Sequence, residues 1–453
     1  MLALLMALVG LSGCDKIRDL PVGNAYTAKH LCSGIFNTGL DPALVRDQFI
    51  APKVQPLPFF WNIDIDEQQK IVTVGDVVFG SRFAATAVHR DNIGCTLLSE
   101  QKIPGALDIA LTRVAPVPVE PLPDEPWPYG RGGLANPLPA DIDYAQLQAA
   151  VASAFTENRD GPRNTTSLLV VHRGQLIAEQ YALGVTAESP VLGWSMTKTV
   201  TAMLIGLLVD QGVLDLQQTS LFPEWQNDER ASIRLVDILQ MASGLQFNED
   251  YLGLSDASAM LNLKADMAAF ARAKPQAATP GTRFNYATGD TLMLSKLVRD
   301  AAGGDLQTSY DFYQRSLFHK LDIHSAFIEF DASGTFVGGA YGYMTPRDWA
   351  RLGLFYLNGG RWKDQQILSP QWMEFALTPS PSADFYAAQL WINSNGFEWP
   401  GLPSQLYHFN GHQGQLVLIL PEHDLVIVRT GVTEDEGNVG EEEFVNGILA
   451  ALP

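Results

Sequence analysis

The chain of 453 residues is longer than one ordinary domain and suggests two. Its formal net charge of −20 argues against a nucleic-acid partner, whose phosphates need a basic footprint, and against electrostatic adhesion to anionic lipid. With 46% hydrophobic and 18% charged residues, that acidity reads as the solvated surface of an ordinary packed protein.

In chain order, residues 2–11 form an uninterrupted apolar run too short to span a bilayer. It ends in Leu11-Ser12-Gly13-Cys14 and resembles a bacterial lipoprotein signal, although no Lys or Arg precedes it. The resemblance implies a signal peptide over residues 1–13, lipidation of Cys14 and a tether over residues 14–24. Asp15 implies retention at the periplasmic face of the inner membrane, so the only membrane contact expected is the lipid anchor. A cleaved signal with an incidental cysteine is the alternative. In an exported chain, Cys32 and Cys95 are expected to form a disulfide. Two unpaired buried thiols are the other reading, because no nearby His or Cys cluster has metal-ligand spacing.

Residues 25–114 read as a small mixed α/β domain: a helix near 27–36, then strands near 70–79, 83–89 and 95–98. Nothing in it assembles a catalytic constellation. Prolines at nearly every second or third position over 115–128, followed by a Gly/Pro-rich stretch, make residues 115–140 an extended, semi-rigid linker.

A second domain is expected over residues 141–453. It opens with a helix over 144–155 and a hairpin, 167–172 and 175–181, turning at Arg173-Gly174. Helices follow at 199–209, 235–241, 267–273, 290–302 and 309–318. Thr345-Pro346 and Ser369-Pro370 open two more with an N-cap hydroxyl and an N1 proline. Strands at 414–420 and 425–430 precede a closing helix at 441–452. Strands at both ends with helices between predict one antiparallel sheet built from the two termini, carrying a helical lobe.

The chemistry centres on Ser195-Met196-Thr197-Lys198 at the start of an apolar helix. Ser195 and Lys198 share a helix face one turn apart, beside the free N–H groups and positive dipole end of the helix. A hydroxyl, an amine to take its proton and N–H donors for an oxyanion are the minimal kit for acyl transfer. Ser-x-x-Lys arises by chance about once or twice in such a chain, and Ser99–Lys102 also matches. Ser195 therefore reads either as nucleophile or as a plain N-cap serine.

Two further elements bear on that choice. Tyr286, after Pro280-Gly281 and before a helix, stands where a phenol could relay a proton, or where its ring could merely anchor a loop. Gly411-His412-Gln413-Gly414-Gln415 enters a strand, and its glycines allow a close backbone approach to a ligand. The N–H groups of Ser195 and Gln415 could together hold an oxyanion. His408 and His412 lie four apart, but Asn410-Gly411 between them disfavours a helix, so no metal is expected.

The order Ser-x-x-Lys, Tyr286-Ala287-Thr288, then His412-Gln413-Gly414 resembles the penicillin-recognising serine hydrolases. The segments 241–251, 341–351 and 411–415 look most like their 6-aminohexanoate-dimer hydrolase and esterase branch. The resemblance implies an α+β fold for residues 141–453: a β-lactamase-like antiparallel sheet flanked by helices plus a helical lobe. It gives Ser195 the role of nucleophile, and Lys198 that of base, kept neutral by burial and nearby positive charge. Tyr286 becomes the proton relay. Thr288, His412, Gln413 and Gly414 fall at substrate-binding positions, with Tyr251 at the cleft border.

Two departures narrow the substrate. Thr288 replaces the Asn of Tyr-x-Asn, and His412 replaces the Lys of Lys-Ser/Thr-Gly. Both weaken recognition of β-lactams and stem peptides, which favours small esters or amides with no cofactor. A β-lactamase or D-alanyl-D-alanine carboxypeptidase, or a catalytically silent envelope lipoprotein, are the alternatives.

Overall fold

The computed structural model describes residues 13–98, 108, 111–157, 161–251 and 253–453. The apolar run and the Ser99–Lys102 match lie outside them, as does the side chain of Cys14. No described helix is long and apolar enough to cross a membrane.

Six antiparallel strands form the principal sheet, in the order Trp391–Ile392, Tyr407–Gly411, Gln415–Leu420, Leu425–Gly431, Thr165–His172, Gln175–Tyr181. The chain's last strand thus pairs with the second domain's first, His172 opposite Leu425. This is the sheet expected from the two termini. Its central strands are buried at every position because both faces are covered. Leu416, Leu418 and Leu420 pack under the helices Tyr144–Ser153 and Glu441–Ala451, while Val417 and Ile419 point into the main core. The Arg173-Gly174 turn takes φ of 49° and 70°, the left-handed pair that two-residue hairpins require.

Helix Met196–Asp210 runs through the main core, its residues Met196 through Leu208 all buried. The helices opened by Thr345-Pro346 and Ser369-Pro370 begin where expected, each hydroxyl accepting from the N–H three residues on. The helix after Tyr286 starts at Thr288, two residues earlier than the sequence suggests.

The N-terminal region differs more from expectation. Residues 14–24 belong to one helix, Gly13–Phe36, rather than to a tether. Val22, Ala25, Ala28, Leu31 and Cys32 recur at helical spacing and are buried, which extends the helix backwards. Its four-stranded antiparallel sheet comprises Trp61–Asp66, Ile71–Asp76, Gly80–Arg90 and Gly94–Leu97. The first of these strands is absent from the sequence reading. Cys32 and Cys95 are joined in a disulfide between helix and sheet. The region has no core of its own, since its buried side chains join the cluster that includes Trp194, Met196 and Val200.

A lone carboxylate anchors the contact. Glu329, fully buried, accepts from Ser33 Oγ (2.9 Å), Asn37 Nδ2 (2.8 Å) and the Cys95 N–H (2.6 Å), and it pairs with Lys29.

Candidate functional site

The turn before Ser195 is tightly constrained. Trp194 holds φ of 46°, a left-handed conformation that costs a bulky residue energy and persists where its surroundings enforce it. A Cβ on Gly193 would meet Trp349 at 2.2 Å, and one on Gly411 would meet the Gly193 carbonyl at 2.2 Å. Glycine at both positions therefore lets the 411–415 strand entry press against the backbone that presents Ser195.

Ser195 caps the helix by position only, because its hydroxyl makes no capping bond. Instead, Ser195 Oγ accepts from Lys198 Nζ at 2.9 Å. The other two donors of the ammonium go to Thr288 Oγ1 (2.9 Å) and the Gly339 carbonyl (2.7 Å). When Lys198 is neutral, its lone pair can replace the donor toward Ser195 while the other two bonds persist. The Tyr286 phenol interacts with Ser195, and its ring centroid lies 4.9 Å from Lys198 Nζ. Ser195, Lys198 and Tyr286 thus share one site.

Lys198 is 1% exposed, and burial brings its amine down to about 8. The nearby charge is opposite in sign to that expected from the sequence. Glu249 opposes the effect of burial, so desolvation alone lowers the lysine. Glu249 accepts the Thr288 N–H at 2.8 Å and also binds the Thr288 hydroxyl, which places a carboxylate one hydroxyl away from the amine. Burial raises Tyr286 well above the usual phenol range, and its bond to Ser195 opposes this only in part.

The predicted substrate-binding residues divide. The buried Thr288 has its hydroxyl between Lys198 and Glu249, accepting from the one and donating to the other. Gln413, also buried, accepts from the Trp194 indole at 3.2 Å and donates to Glu434 at 3.1 Å. Gly414 sits under Arg429, and the Gln415 side chain turns inward to the His412 carbonyl (3.1 Å). His412 stacks on Tyr251, ring centroids 5.3 Å apart, and Tyr251 bonds Glu249. The wall around Tyr286 is aromatic, with Trp391 at 5.3 Å and Tyr386 at 6.0 Å. No group of three or more His, Cys, Asp or Glu placed to hold a metal occurs among the described residues.

Sequence reasoning missed Glu249, although it lies two residues before Tyr251 in the segment that carried the resemblance. It also missed Lys53, Glu434 and Glu436. Lys53 Nζ lies 2.7 Å from His412 Nε2 and 3.4 Å from Glu434, while His412 Nδ1 meets Glu436 at 2.6 Å.

Comparison with known proteins bears on the family and the fold. Residues 150–444 match the Beta-lactamase family model. The chain is 25% identical over 312 residues to the 6-aminohexanoate-dimer hydrolase of Paenarthrobacter ureafaciens, covering 63% of this chain and 77% of that protein. Its fold is similar to that of a Bacillus anthracis protein provisionally assigned as a 6-aminohexanoate-dimer hydrolase (TM-score 0.58, 22% identity, 74% of this chain and 91% of that one). It is also similar in fold to a family VIII carboxylesterase (TM-score 0.54, 14% identity, 69% and 97%).

Proposed function

The chain belongs to the beta-lactamase family, and on that premise we propose that it is a serine hydrolase that cleaves small esters or amides through an acyl-Ser195 intermediate. The observation that carries this reading is the 2.9 Å bond from Lys198 Nζ to the Ser195 hydroxyl, with the Tyr286 phenol beside it. Neutral Lys198 takes the hydroxyl proton as Ser195 Oγ bonds to the carbonyl carbon. With the amine near 8, about a tenth of it is neutral at pH 7, and the fraction climbs steeply above that. The N–H groups of Ser195 and Gln415 receive the oxyanion. Tyr286 delivers a proton to the departing alkoxide or amine and is reprotonated through the lysine. Water then adds to the acyl carbon, its proton passing to the same pair, and Ser195 leaves with its hydroxyl restored.

The substrate reading rests on His412. An imidazole stands where an ammonium would attract a substrate carboxylate, beside a wall of aromatic rings. The hydrolase activities in the names of the relatives support an ester or amide bond. Export and lipidation of Cys14 belong to the same proposal.

A fluorophosphonate probe should label the wild-type chain and leave Ser195→Ala unlabelled. Equal labelling of both would remove Ser195 from the mechanism. p-Nitrophenyl esters should be turned over much faster than nitrocefin, and the reverse ranking would move the reading to a β-lactamase.

A further inference from the structure

We propose that Lys53, on the N-terminal region outside the 150–444 match to the family model, is a positioning residue for the hydrolytic site that fixes the tautomer and orientation of His412. The inference rests on the hydrolase reading above and deepens it. An ammonium has three donors and no acceptor, so His412 Nε2, 2.7 Å from Lys53 Nζ, must be the accepting, unprotonated nitrogen. Nδ1, 2.6 Å from Glu436 Oε1, must then carry the proton. Both ring nitrogens are held, from opposite sides of the molecule's sequence, and the ring plane is set for its stack on Tyr251.

The same contacts reach the strand entry that would supply an oxyanion donor. Glu436 Oε1 also accepts the Gln413 N–H at 2.6 Å, at a residue with φ of 65°. Glu434, 3.4 Å from Lys53, accepts from the Gln413 amide, whose oxygen accepts from the Trp194 indole. Lys53 thus joins Glu434 and Glu436 in a network that links the 412–415 turn to the residue preceding Ser195, while Arg429 donates to the Gln413 and Gly414 carbonyls (3.0 and 2.8 Å) from the other side. Without it, His412 Nε2 loses its donor and Glu434 loses its ammonium partner, so the ring and the Gln413 amide are held from one side only.

The test begins with the wild-type protein labelled with 15N in its histidine imidazoles, His412→Gln identifying the resonance. The expected spectrum has His412 protonated at Nδ1 and bare at Nε2 near pH 7.5. A proton on Nε2 there overturns the proposal before any other variant is made. Lys53→Met should shift that resonance and lower kcat on a p-nitrophenyl ester about tenfold, as a displaced oxyanion donor would. KM should change less than kcat, and Lys53→Arg should restore most of the loss. A Lys53→Met enzyme with kcat within twofold of wild type, or with the tautomer unchanged, overturns the positioning role. Ser195-dependent fluorophosphonate labelling of the wild type separates that failure from a failure of the hydrolase reading.

Discussion

Two buried lysines mark the two regions of this molecule, and they differ in what surrounds them. Lys198, under the nucleophile candidate, and Lys29, at the contact with the N-terminal helix, are 1% and 2% exposed. Burial pulls both amines below the ordinary lysine range. Lys29 meets a carboxylate directly, in the ion pair with Glu329, and also bonds Ser33 at 3.0 Å. Lys198 meets two hydroxyls and a carbonyl, with Glu249 held one hydroxyl away. A direct counter-ion makes a buried ammonium part of the scaffold. Keeping the counter-ion one hydroxyl off leaves an amine that can lose its proton near neutral pH. Burial is common to both sites; the partner decides between structure and chemistry.

The comparison breaks first at Lys198 if it is wrong. Lys198→Ala should slow acylation by about 10²–10⁴, the usual contribution of a positioned base. Its thermal midpoint should fall far less than that of a variant at Lys29. An enzyme acylated at the wild-type rate would show that the buried amine is only a packing element.

At the other lysine the readout is stability. Lys29→Met leaves Glu329 buried with three hydrogen-bond donors but without the ammonium that pairs with it. Breaking one side of such a pair costs about 3–5 kcal/mol, whereas replacing both sides costs little. Urea unfolding should therefore show Lys29→Met strongly destabilised and Lys29→Met/Glu329→Gln returned most of the way to wild type. Additive losses in the double variant would mean that Lys29 and Glu329 act separately.

How much of this was legible depended on how far apart in the chain the partners lie. Ser195 and Lys198 are one helical turn apart, and the caps at Thr345 and Ser369 act within three residues, so local spacing carried them. The apolar runs at 416–420 and 425–428 were legible as strands, and both faces of their sheet are covered. Glu329 and its partner Lys29 lie 300 positions apart, and nothing in Phe327-Ile328-Glu329-Phe330 separates that carboxylate from the other 49 of the 50 Asp and Glu side chains. Lys53 is hidden for the same reason, 359 positions from His412. The strand Trp61–Asp66 was missed despite its alternation, because only half-buried residues line its inner side and its apolar signal is weak. The partners of Thr288 were hidden too, since the motif names a position and only the fold reveals that Glu249 fills the space beside it.

The finest test of the contrast between the lysines is Glu249→Gln. The carboxylate raises the Lys198 amine against the effect of burial. Its amide replacement keeps an oxygen for Thr288 but removes the charge, so the ammonium form loses support and Lys198 deprotonates at lower pH. Because the neutral amine is the active form, the acidic limb of the kcat/KM profile, centred near 8 in the wild type, should move to lower pH. Stability should change little, as Glu249 holds Lys198 only through the Thr288 hydroxyl. A limb displaced toward alkaline pH would mean that Glu249 lowers the lysine by fixing its hydrogen bonds, and a limb that stays in place would assign the titration to another group. The expected acid shift would make the distance between amine and carboxylate the variable that separates the two lysines.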